Sequence, residues 1–308
     1  MKPVVSVLTI TYNHSQFIEQ CINSILMQKT NFQFEIVIGE DCSTDGTREK
    51  VMQYAQKYPD LIQVITTETN VGAKDNLIRT LAACQGDLIA VCEGDDYWTD
   101  PNKLQKQVDF LNNHPEYSMC CHASRVKIGD GVDHTKIIRM ADGNKTFTIS
   151  DFLEPMSNNF IRTESVVLRK SAVSEIPDWI FNSPVADYPL FLLMAHRGKI
   201  YYIDQVMSVY RRHAGGIWTS NMNNADYLEK YYNSTIVMYQ KFDQSTGYIY
   251  HKKIQKRIPY RYYQMIMKSQ ISSAERRKYF LKYWSKIPKH LIFRSIYFLY
   301  IKPLLGRL

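Results

Sequence analysis

The feature that most restricts how this chain can fold is a regular alternation of short apolar runs with amphipathic segments over residues 4–112. Segments of helical length, such as Ala73–Ala83 with its apolar residues on one side, separate the apolar runs. The apolar runs are rich in β-branched residues and predict four buried strands: Val4–Ile10, Phe34–Ile38, Leu61–Thr66 and Leu88–Cys92. Strands that alternate with helices predict βαβ crossovers, and therefore an α/β fold with a mainly parallel sheet flanked by helices.

The loop that follows the fourth predicted strand carries three carboxylates within four residues, Glu93, Asp95 and Asp96. The strands of a parallel sheet bind ligands at their carboxyl ends, so this loop should face a crevice. Neighbouring anions repel each other unless a cation holds them together, and hard oxygen ligands suit Mn²⁺ or Mg²⁺. The cluster therefore indicates a metal site with open positions for substrate phosphates. The alternative is a solvated acidic turn that caps the next helix, which explains Asp100 but gives the other three no role.

A second acidic pair, Glu40 and Asp41, follows the second predicted strand at the same edge of the sheet. Such a carboxylate can accept hydrogen bonds from a ribose hydroxyl or a base N–H, although acidic residues are also common in ordinary turns. The glycine-rich phosphate loop of dehydrogenases does not follow the first strand, and the P-loop motif does not occur. A divalent metal is the natural substitute for such a loop.

Four motifs of this chain resemble those of the inverting family 2 glycosyltransferases with the GT-A fold. They occur in the family's order and spacing over residues 4–112, with fainter support to about residue 220. The motifs are the strand Val5-Ser6-Val7-Leu8-Thr9-Ile10-Thr11-Tyr12-Asn13, the loop Glu40-Asp41-Cys42-Ser43-Thr44-Asp45-Gly46-Thr47, the segment Asn70-Val71-Gly72 with Asn76, and the run Glu93-Gly94-Asp95-Asp96. The last run is similar to the family's D-x-D metal motif, with Glu93 in the first acidic place. The resemblance implies a nucleotide-diphospho-sugar transferase that uses Mn²⁺ or Mg²⁺.

The resemblance also implies roles for individual residues. Thr11 and Asp41 would contact the uracil and ribose side of a UDP-sugar, and Tyr12 would lie against the base. Asp95 and Asp96 would hold the metal under the diphosphate. The full set implied for the nucleotide sugar is Thr11, Tyr12, Asn13, Glu40, Asp41, Asn70, Asp95 and Arg211.

The second half of the chain supplies a candidate base and a candidate metal ligand. Asp187 precedes the apolar helical stretch Leu190–Ala195, and in the family that the chain resembles an acid at this place deprotonates the acceptor hydroxyl. The alternative is that Asp187 only caps the helix. Residues Val209–Gly216 are similar to the family's Y-R-x-H-x-G segment, where Arg211 or His213 would complete the metal shell or neutralise the departing diphosphate. The implied metal ligands are Glu93, Asp95, Asp96 and His213.

The net charge of +8 is divided unevenly along the chain. Residues 241–308 hold 16 Lys or Arg against two acidic residues, a net of +14, so residues 1–240 carry 8 − 14 = −6. Basic residues interleaved with aromatics in His290–Leu305 suit an anionic membrane surface. Packing against the catalytic domain or a homodimer partner is a second interpretation, and nucleic-acid binding, which no recognition motif supports, is a third. The predicted domains are a catalytic domain over residues 1–225 and a basic helical extension over residues 226–308.

The six cysteines all lie in the first 121 residues and form no C-x-x-C pair, which indicates small buried side chains rather than zinc ligands or disulfides. The N-terminus shows no cleavable signal pattern, and no stretch approaches the ~20 apolar residues that a bilayer-spanning helix needs. We therefore expect a cytoplasmic protein, which is peripheral at the inner face of the cell membrane if its basic tail binds lipid.

The residues and the resemblance together predict an inverting glycosyltransferase of cell-surface polysaccharide biosynthesis. It would move a sugar from a nucleotide-diphosphate sugar, in particular a UDP-sugar, to a carbohydrate or lipid-linked glycan acceptor. Two other hypotheses stay open. A sugar-phosphate nucleotidyltransferase uses a related sheet, but it ordinarily has a glycine-rich loop where this chain has Thr11-Tyr12-Asn13-His14. A catalytically silent scaffold is the other, and it would not need Asp41, Asp95, Asp96 and Asp187 together.

Overall fold

The structure, a computed structural model, describes residues 2–129, 135–155, 161–177, 179–180, 187–213, 221, 223–268 and 270–305. The chain forms two compact units. The first, called the sheet unit below, comprises Met1–Ile149, Asn159–Ile176 and Leu190–His213. The second, called the helical unit, comprises Ser150–Asn158, Pro177–Pro189 and Ala214–Leu308. The domain boundary placed after residue 225 stays a prediction.

The first part of the chain alternates strands and helices as the sequence predicts. Its elements are β1 (Val5–Thr11), α1 (Ile18–Leu26), β2 (Phe34–Glu40), α2 (Thr47–Lys57), β3 (Ile62–Thr66), α3 (Gly72–Ala83), β4 (Leu88–Val91), β5 (Tyr97–Trp98) and α4 (Lys103–Asn113). The four predicted strands are thus β1 to β4, and they form the parallel centre of one sheet in the order β3-β2-β1-β4.

The later elements complete the sheet and build the helical unit. They are β6 (Tyr117–Ile128), β7 (Thr135–Ile138), β8 (Lys145–Phe147), α5 (Ile149–Leu153), β9 (Val167–Arg169), α6 (Asp187–Arg197), β10 (Lys199–Arg212), α7 (Ala225–Ser245), α8 (His251–Ile266), α9 (Ser273–Tyr283), α10 (Lys289–Ile296) and α11 (Lys302–Leu305). Short 3₁₀ turns cover Thr163–Ser165, Lys170–Val173 and Trp284–Lys286, and a π-helical turn, Tyr297–Ile301, joins α10 to α11.

The sheet becomes mixed beyond β4. Its main path continues β4-β9-β6-β10-β5, in which β9 pairs antiparallel with both β4 and β6 while β6 and β10 run parallel. The strands β7 and β8 pair antiparallel with β6 and β10. The structure therefore confirms the α/β class and the helix-flanked sheet, and it adds antiparallel pairs in the region that was hardest to interpret from sequence.

Apolar spacing explains how the helices cover the sheet. In α1 the fully buried residues Ile18, Cys21, Ile22 and Ile25 recur every three or four positions, so one face of the helix packs in the core. Strand residues such as Val7 belong to the same core. Burying a side chain of this size stabilises the fold by about 1.5–3 kcal/mol.

One short strand pair links the acidic loop to the far end of the chain. Tyr97 and Trp98, which form β5, pair antiparallel with Val209 and Ser208 of β10. Because β5 begins directly after Asp96, this pairing holds the loop after β4 beside the carboxyl end of β10.

The helical unit has its own apolar core, built by residues of α7 to α10 and of the π-helical turn, such as Leu228, Met265, Tyr279 and Leu299. Throughout the part of the chain that the structure describes, no helix is both long enough and apolar enough to cross a bilayer.

Candidate active site

Three side chains at the carboxyl edge of the sheet form a group that could hold a metal ion. His14 follows β1, Asp95 follows β4, and His213 follows β10. One ligand atom of each lies within 4.8 Å of the other two. His213 Nε2 lies 3.0 Å from Asp95 Oδ2, and the two imidazole rings meet edge to face at 6.0 Å. The parallel strands thus bring residues that are almost 200 positions apart in sequence to one point.

A glycine permits the close approach of two of these loops. A β-carbon at Gly94 would lie 2.6 Å from Thr11 Oγ1 and 3.1 Å from His14 Nδ1, which is too close for a larger residue without movement. The Gly94 N–H also donates to the carbonyl of Ile10 at 3.0 Å. The glycine of the acidic run therefore lets the loop after β4 pack directly on the end of β1.

The pKa shifts of His14 and Asp95 suit metal binding. Burial lowers the pKa of His14, and the nearby His213 and Arg211 lower it further, against the opposing charges of Asp95 and Asp45. Burial would raise the pKa of Asp95, but the hydrogen bond from His213 and the charges of both histidines outweigh it and lower that pKa. A neutral imidazole and an ionised carboxylate are the forms that coordinate a metal.

The donor set also bears on which metal fits. Two imidazole nitrogens and one carboxylate oxygen suit a first-row transition metal such as Mn²⁺, whereas Mg²⁺ prefers oxygen ligands alone. Three protein ligands leave positions for phosphate oxygens. The residues present therefore fit a divalent metal, with Mn²⁺ matching the donors better than Mg²⁺.

Asp96 and Glu93 do not join this group in the described structure, unlike the prediction. Asp96 is fully buried, and one carboxylate oxygen accepts the backbone N–H of Arg211 at 2.7 Å. Burial, reinforced by the charges of Asp95, Glu164 and Glu93, raises the pKa of Asp96 well above the usual range, which favours the protonated carboxyl. Glu93 accepts a hydrogen bond from Thr163 Oγ1 at 2.6 Å. Both carboxylates brace the loop that presents Asp95.

Arg211 also braces this loop. Its guanidinium donates to the Asp95 carbonyl at 2.5 Å and to the Gln20 side chain, and it lies 4.4 Å from the ring centre of Tyr97 and 5.0 Å from that of Phe17. A buried cation held between two aromatic rings has a fixed orientation. The described contacts therefore favour a positioning role for Arg211 over direct contact with a diphosphate.

The residues predicted for the base and ribose line the loops after β1 and β2. Thr11 is buried, with Oγ1 3.3 Å from His14 Nδ1, whereas the next residue, Tyr12, is exposed. Asn13 has a φ of 55°, in the left-handed region, and its N–H donates to Ser43 Oγ at 3.0 Å. The two loops are thus linked by a hydrogen bond, and the exposed ring of Tyr12 lies beside them outside the core.

Glu40 is turned into the protein rather than toward a ligand. Its two carboxylate oxygens accept from the Ser43 N–H and from Arg48 Nε, each at 2.6 Å. Burial would raise the pKa of Glu40, but these hydrogen bonds and the Arg48 charge outweigh it and lower the pKa. The geometry gives Glu40 the task of shaping the loop after β2.

Asp41 forms the amino-terminal cap of α3. Its two oxygens accept the backbone N–H groups of Val71 and Gly72, both at 2.9 Å, and Asn70 Nδ2 donates to its carbonyl at 3.2 Å. Arg79 Nη2 lies 3.6 Å from the same carboxylate. The structure thus brings the predicted residues Asp41 and Asn70 together. It adds Arg79, three positions beyond the motif that ends at Asn76, which sequence reasoning did not single out.

Asp187 begins α6, and one of its oxygens accepts the Tyr188 N–H at 2.7 Å. The Tyr188 hydroxyl is held within the helical unit by the Tyr239 hydroxyl at 2.6 Å, by the Phe152 carbonyl at 3.1 Å and by buried Arg257 at 3.1 Å. The start of α6 is therefore anchored by a buried polar network, which fixes the backbone that carries Asp187.

His14 is the member of the metal group that sequence reasoning missed. Its position in the sequence could have indicated this role. His14 comes three residues after Thr11, in a loop at the carboxyl edge of the sheet, where any histidine is a candidate ligand.

Comparisons with known proteins show the family and the fold of this chain. The model of the family described as "Glycosyl transferase family 2" matches residues 6–176, which is 171 of 308 residues. Uncharacterized proteins of Mycobacterium tuberculosis and Mycobacterium bovis are 38% identical over 216 residues, covering 70% of this chain but only 60% of their own length. The Bacillus subtilis putative teichuronic acid biosynthesis glycosyltransferase TuaG is 40% identical over 110 residues, 36% of this chain and 42% of TuaG.

Two solved structures share the fold. TarS 1–349 of S. aureus, in complex with UDP-GlcNAc, superposes with a TM-score of 0.64 at 18% identity over 94% of this chain and 83% of that chain. The mannosyltransferase PcManGT of Pyrobaculum calidifontis, in complex with GDP-Man and Mn²⁺, gives 0.60 at 14% identity over 100% and 81%. These likenesses confirm the predicted GT-A fold. Since the family model covers more than half of the sequence, the chain belongs to glycosyl transferase family 2.

Proposed function

We propose that this protein transfers a sugar from a nucleotide-diphosphate sugar, in particular a UDP-sugar, to a carbohydrate or lipid-linked glycan acceptor. The observation that carries the proposal is the group His14, Asp95 and His213, whose ligand atoms lie within 4.8 Å of one another at the carboxyl edge of the sheet. Mn²⁺ is the metal we propose for this group. When bound, it would supply positive charge that stabilises the departing diphosphate.

The chain's own residues would bind and orient the donor. Tyr12, exposed beside the buried Thr11, offers a flat ring against which a base can lie. The loops after β1 and β2 are held in register by the hydrogen bonds between Asn13 and Ser43 and between the Asp41 N–H and the Thr11 carbonyl. Fixed loops of this kind bind a nucleotide without a large loss of conformational freedom.

For the transfer itself we propose an inverting displacement with Asp187 as the base. The acceptor oxygen forms a bond to the anomeric carbon as the bond from that carbon to the diphosphate breaks, and the hydroxyl proton passes to the Asp187 carboxylate. The support is the place of Asp187 at the start of α6 and the buried anchor of Tyr188 next to it. One of its oxygens also accepts the N–H of the next residue, Tyr188.

The names of similar proteins bear on the pathway class. TuaG is named for teichuronic acid biosynthesis, and TarS and PcManGT are described with UDP-GlcNAc and GDP-Man. We propose from these that the acceptor is a cell-surface polysaccharide or its lipid-linked precursor, and that the protein acts at the cytoplasmic side of the membrane.

A thermal-unfolding experiment with UDP and GDP tests the proposal. UDP with Mn²⁺ at about 100 times its Kd should stabilise the protein by about 2.7 kcal/mol, and UDP without metal by much less. The slow hydrolysis of each donor in a panel of UDP-sugars and GDP-sugars is then measured, and the donor that is hydrolysed identifies the sugar. A protein that binds no nucleotide diphosphate with any divalent metal would be a silent scaffold, and the proposal would be wrong.

A further inference from the structure

The last helical stretch of the helical unit is continuous from α10 through the π-helical turn to α11, residues 289–305. One side of this stretch is packed. Leu291, Ser295 and Leu299, spaced four residues apart, are buried, and both leucines belong to the core that also contains Phe280. The packing interpretation of the basic tail therefore accounts for this inner side.

The outer side of the same stretch is apolar and open. Phe293, Tyr297, Ile301 and Leu304, called the outer stripe below, are 83%, 43%, 43% and 65% exposed. Their spacing of four, four and three residues places them along one face of a helix. Packing on the core leaves them uncovered, and so large an apolar surface in water is unfavourable.

The segment that carries the outer stripe is strongly basic. Residues 276–308 contain nine Lys or Arg and no Asp or Glu. Lys289, Arg294 and Lys302 lie within the stretch itself, and all three are exposed. Among the described residues, no carboxylate lies within ion-pair distance of any of these three.

From these observations we infer that the outer stripe docks on the surface of an anionic lipid bilayer. An interfacial helix of this kind buries its apolar face at the boundary of headgroups and acyl chains while its cations meet lipid phosphates. A second copy of this face would bring like charges together, and a nucleic acid would leave the apolar side chains in water. The chemistry of the face thus matches an anionic bilayer. This inference does not depend on the proposed transferase activity.

The test is flotation of the full-length protein with vesicles, without donor or Mn²⁺. Neutral phosphatidylcholine vesicles are compared with vesicles in which phosphatidylglycerol makes up about a third of the lipid. We expect binding to the anionic vesicles, much weaker binding to the neutral ones, and loss at high salt because the attraction is screened. Equal binding to both kinds of vesicle, or to neither, would overturn the inference.

Paired variants separate the apolar and the charged contributions. Lys289→Gln with Arg294→Gln should weaken binding about 25-fold, roughly fivefold for each cation. Phe293→Ser with Leu304→Ser should weaken it at least tenfold at unchanged charge. The matched control variants are Lys29→Gln and Ile137→Ser, exposed positions in the sheet unit, which should bind as the unaltered protein does.

Other occupants predict different results. A concentration-dependent dimer that Phe293→Ser with Leu304→Ser abolishes, without vesicle binding, would assign the face to a second copy. Binding to DNA that the charge variants weaken and the apolar variants leave intact, without vesicle binding, would assign it to nucleic acid. Either result would overturn the inference, while nucleotide-dependent stabilisation measured separately would leave the proposed transferase function standing.

Discussion

At the residue scale, two neighbouring aspartates have opposite environments. Asp95 meets His213 at the carboxyl edge of the sheet, whereas Asp96 turns inward to the Arg211 backbone. The turn that carries both aspartates, residues 93–96, is closed by a hydrogen bond from the Asp96 N–H to the Glu93 carbonyl at 2.9 Å. The acidic run therefore has one carboxylate that meets His213 and one inward carboxyl that fixes the loop.

This difference predicts distinct effects for two substitutions. Asp95→Asn should remove the Mn²⁺-dependent stabilisation by UDP and lower transfer by more than the roughly 10- to 100-fold that losing a supporting residue of a metal site costs. Asp187→Asn should lower transfer by about 10² to 10⁴ through loss of the base, while UDP and Mn²⁺ still stabilise the protein. The measurements are thermal unfolding and donor turnover on both variants. Unaltered turnover in either variant would exclude the role given to that residue.

The sequence allowed part of this site to be predicted. Asp95 and His213 lie in motifs of recognisable spacing, and the structure places them 3.0 Å apart, although their roles stay proposals. His14 lies in a loop without a motif of its own, and only the folded sheet brings it to Asp95. The inward direction of Asp96 could not be predicted either, because spacing in a sequence does not show which way a turn sends its side chains.

At the element scale, Asp41 links the loop after β2 to the start of α3. It satisfies two backbone N–H groups that the helix cannot pair by itself. The negative charge also lies at the positive end of the helix dipole. A residue that resembles a ribose ligand in the sequence is therefore also a structural cap.

We predict that Asp41→Ala lowers the free energy of unfolding by about 1–2 kcal/mol, because the Val71 N–H loses its carboxylate acceptor and the Gly72 N–H keeps only the Asn70 side-chain oxygen. Asp41→Asn keeps one acceptor oxygen and should recover part of this loss. Urea unfolding of the two variants measures the difference. Ser174→Ala is a suitable control, since its exposed hydroxyl caps only a local turn. Equal stability of the alanine variant and the unaltered protein would contradict the capping role.

The strands of the first half were predictable because each is a short β-branched run that ends at turn residues. The strands β6, β9 and β10 were not predictable, although β10 leads directly to His213. β10 has register shifts against β6 between Ile203 and Ser208, so its side chains do not alternate regularly. An irregular long strand in a mixed sheet leaves no periodic signal in the sequence.

At the scale of the whole molecule, charge is distributed unevenly in the interior as well as along the chain. Lys103 is fully buried in the sheet unit, where its ammonium donates to Gln107 at 2.8 Å and lies 4.1 Å from the ring centre of Trp98. Burial lowers the pKa of Lys103 from 10.5 to about 7, although nearby groups such as Cys92 and Glu164 oppose the shift.

This buried lysine predicts a pH dependence of stability. Between about pH 7 and 10.5 the unfolded chain binds a proton that the folded chain lacks, so stability rises with pH over this window. The slope has an upper limit of about 1.4 kcal/mol per pH unit. Lys103→Met should flatten the slope between pH 7 and 9, as urea unfolding at several pH values would show. An identical slope in the variant would assign the effect to other groups.

The end of β10 lies well beyond the stretch that the family model matches, which stops at residue 176. A gene fragment trimmed to that stretch would encode His14 and Asp95 but neither His213 nor the strand that covers the edge of β6. Such a polypeptide would present an uncovered strand edge, which is a template for aggregation. It would also lack His213, one of the three side chains that could hold a metal ion. Expression work on this chain should therefore extend the boundary past residue 213.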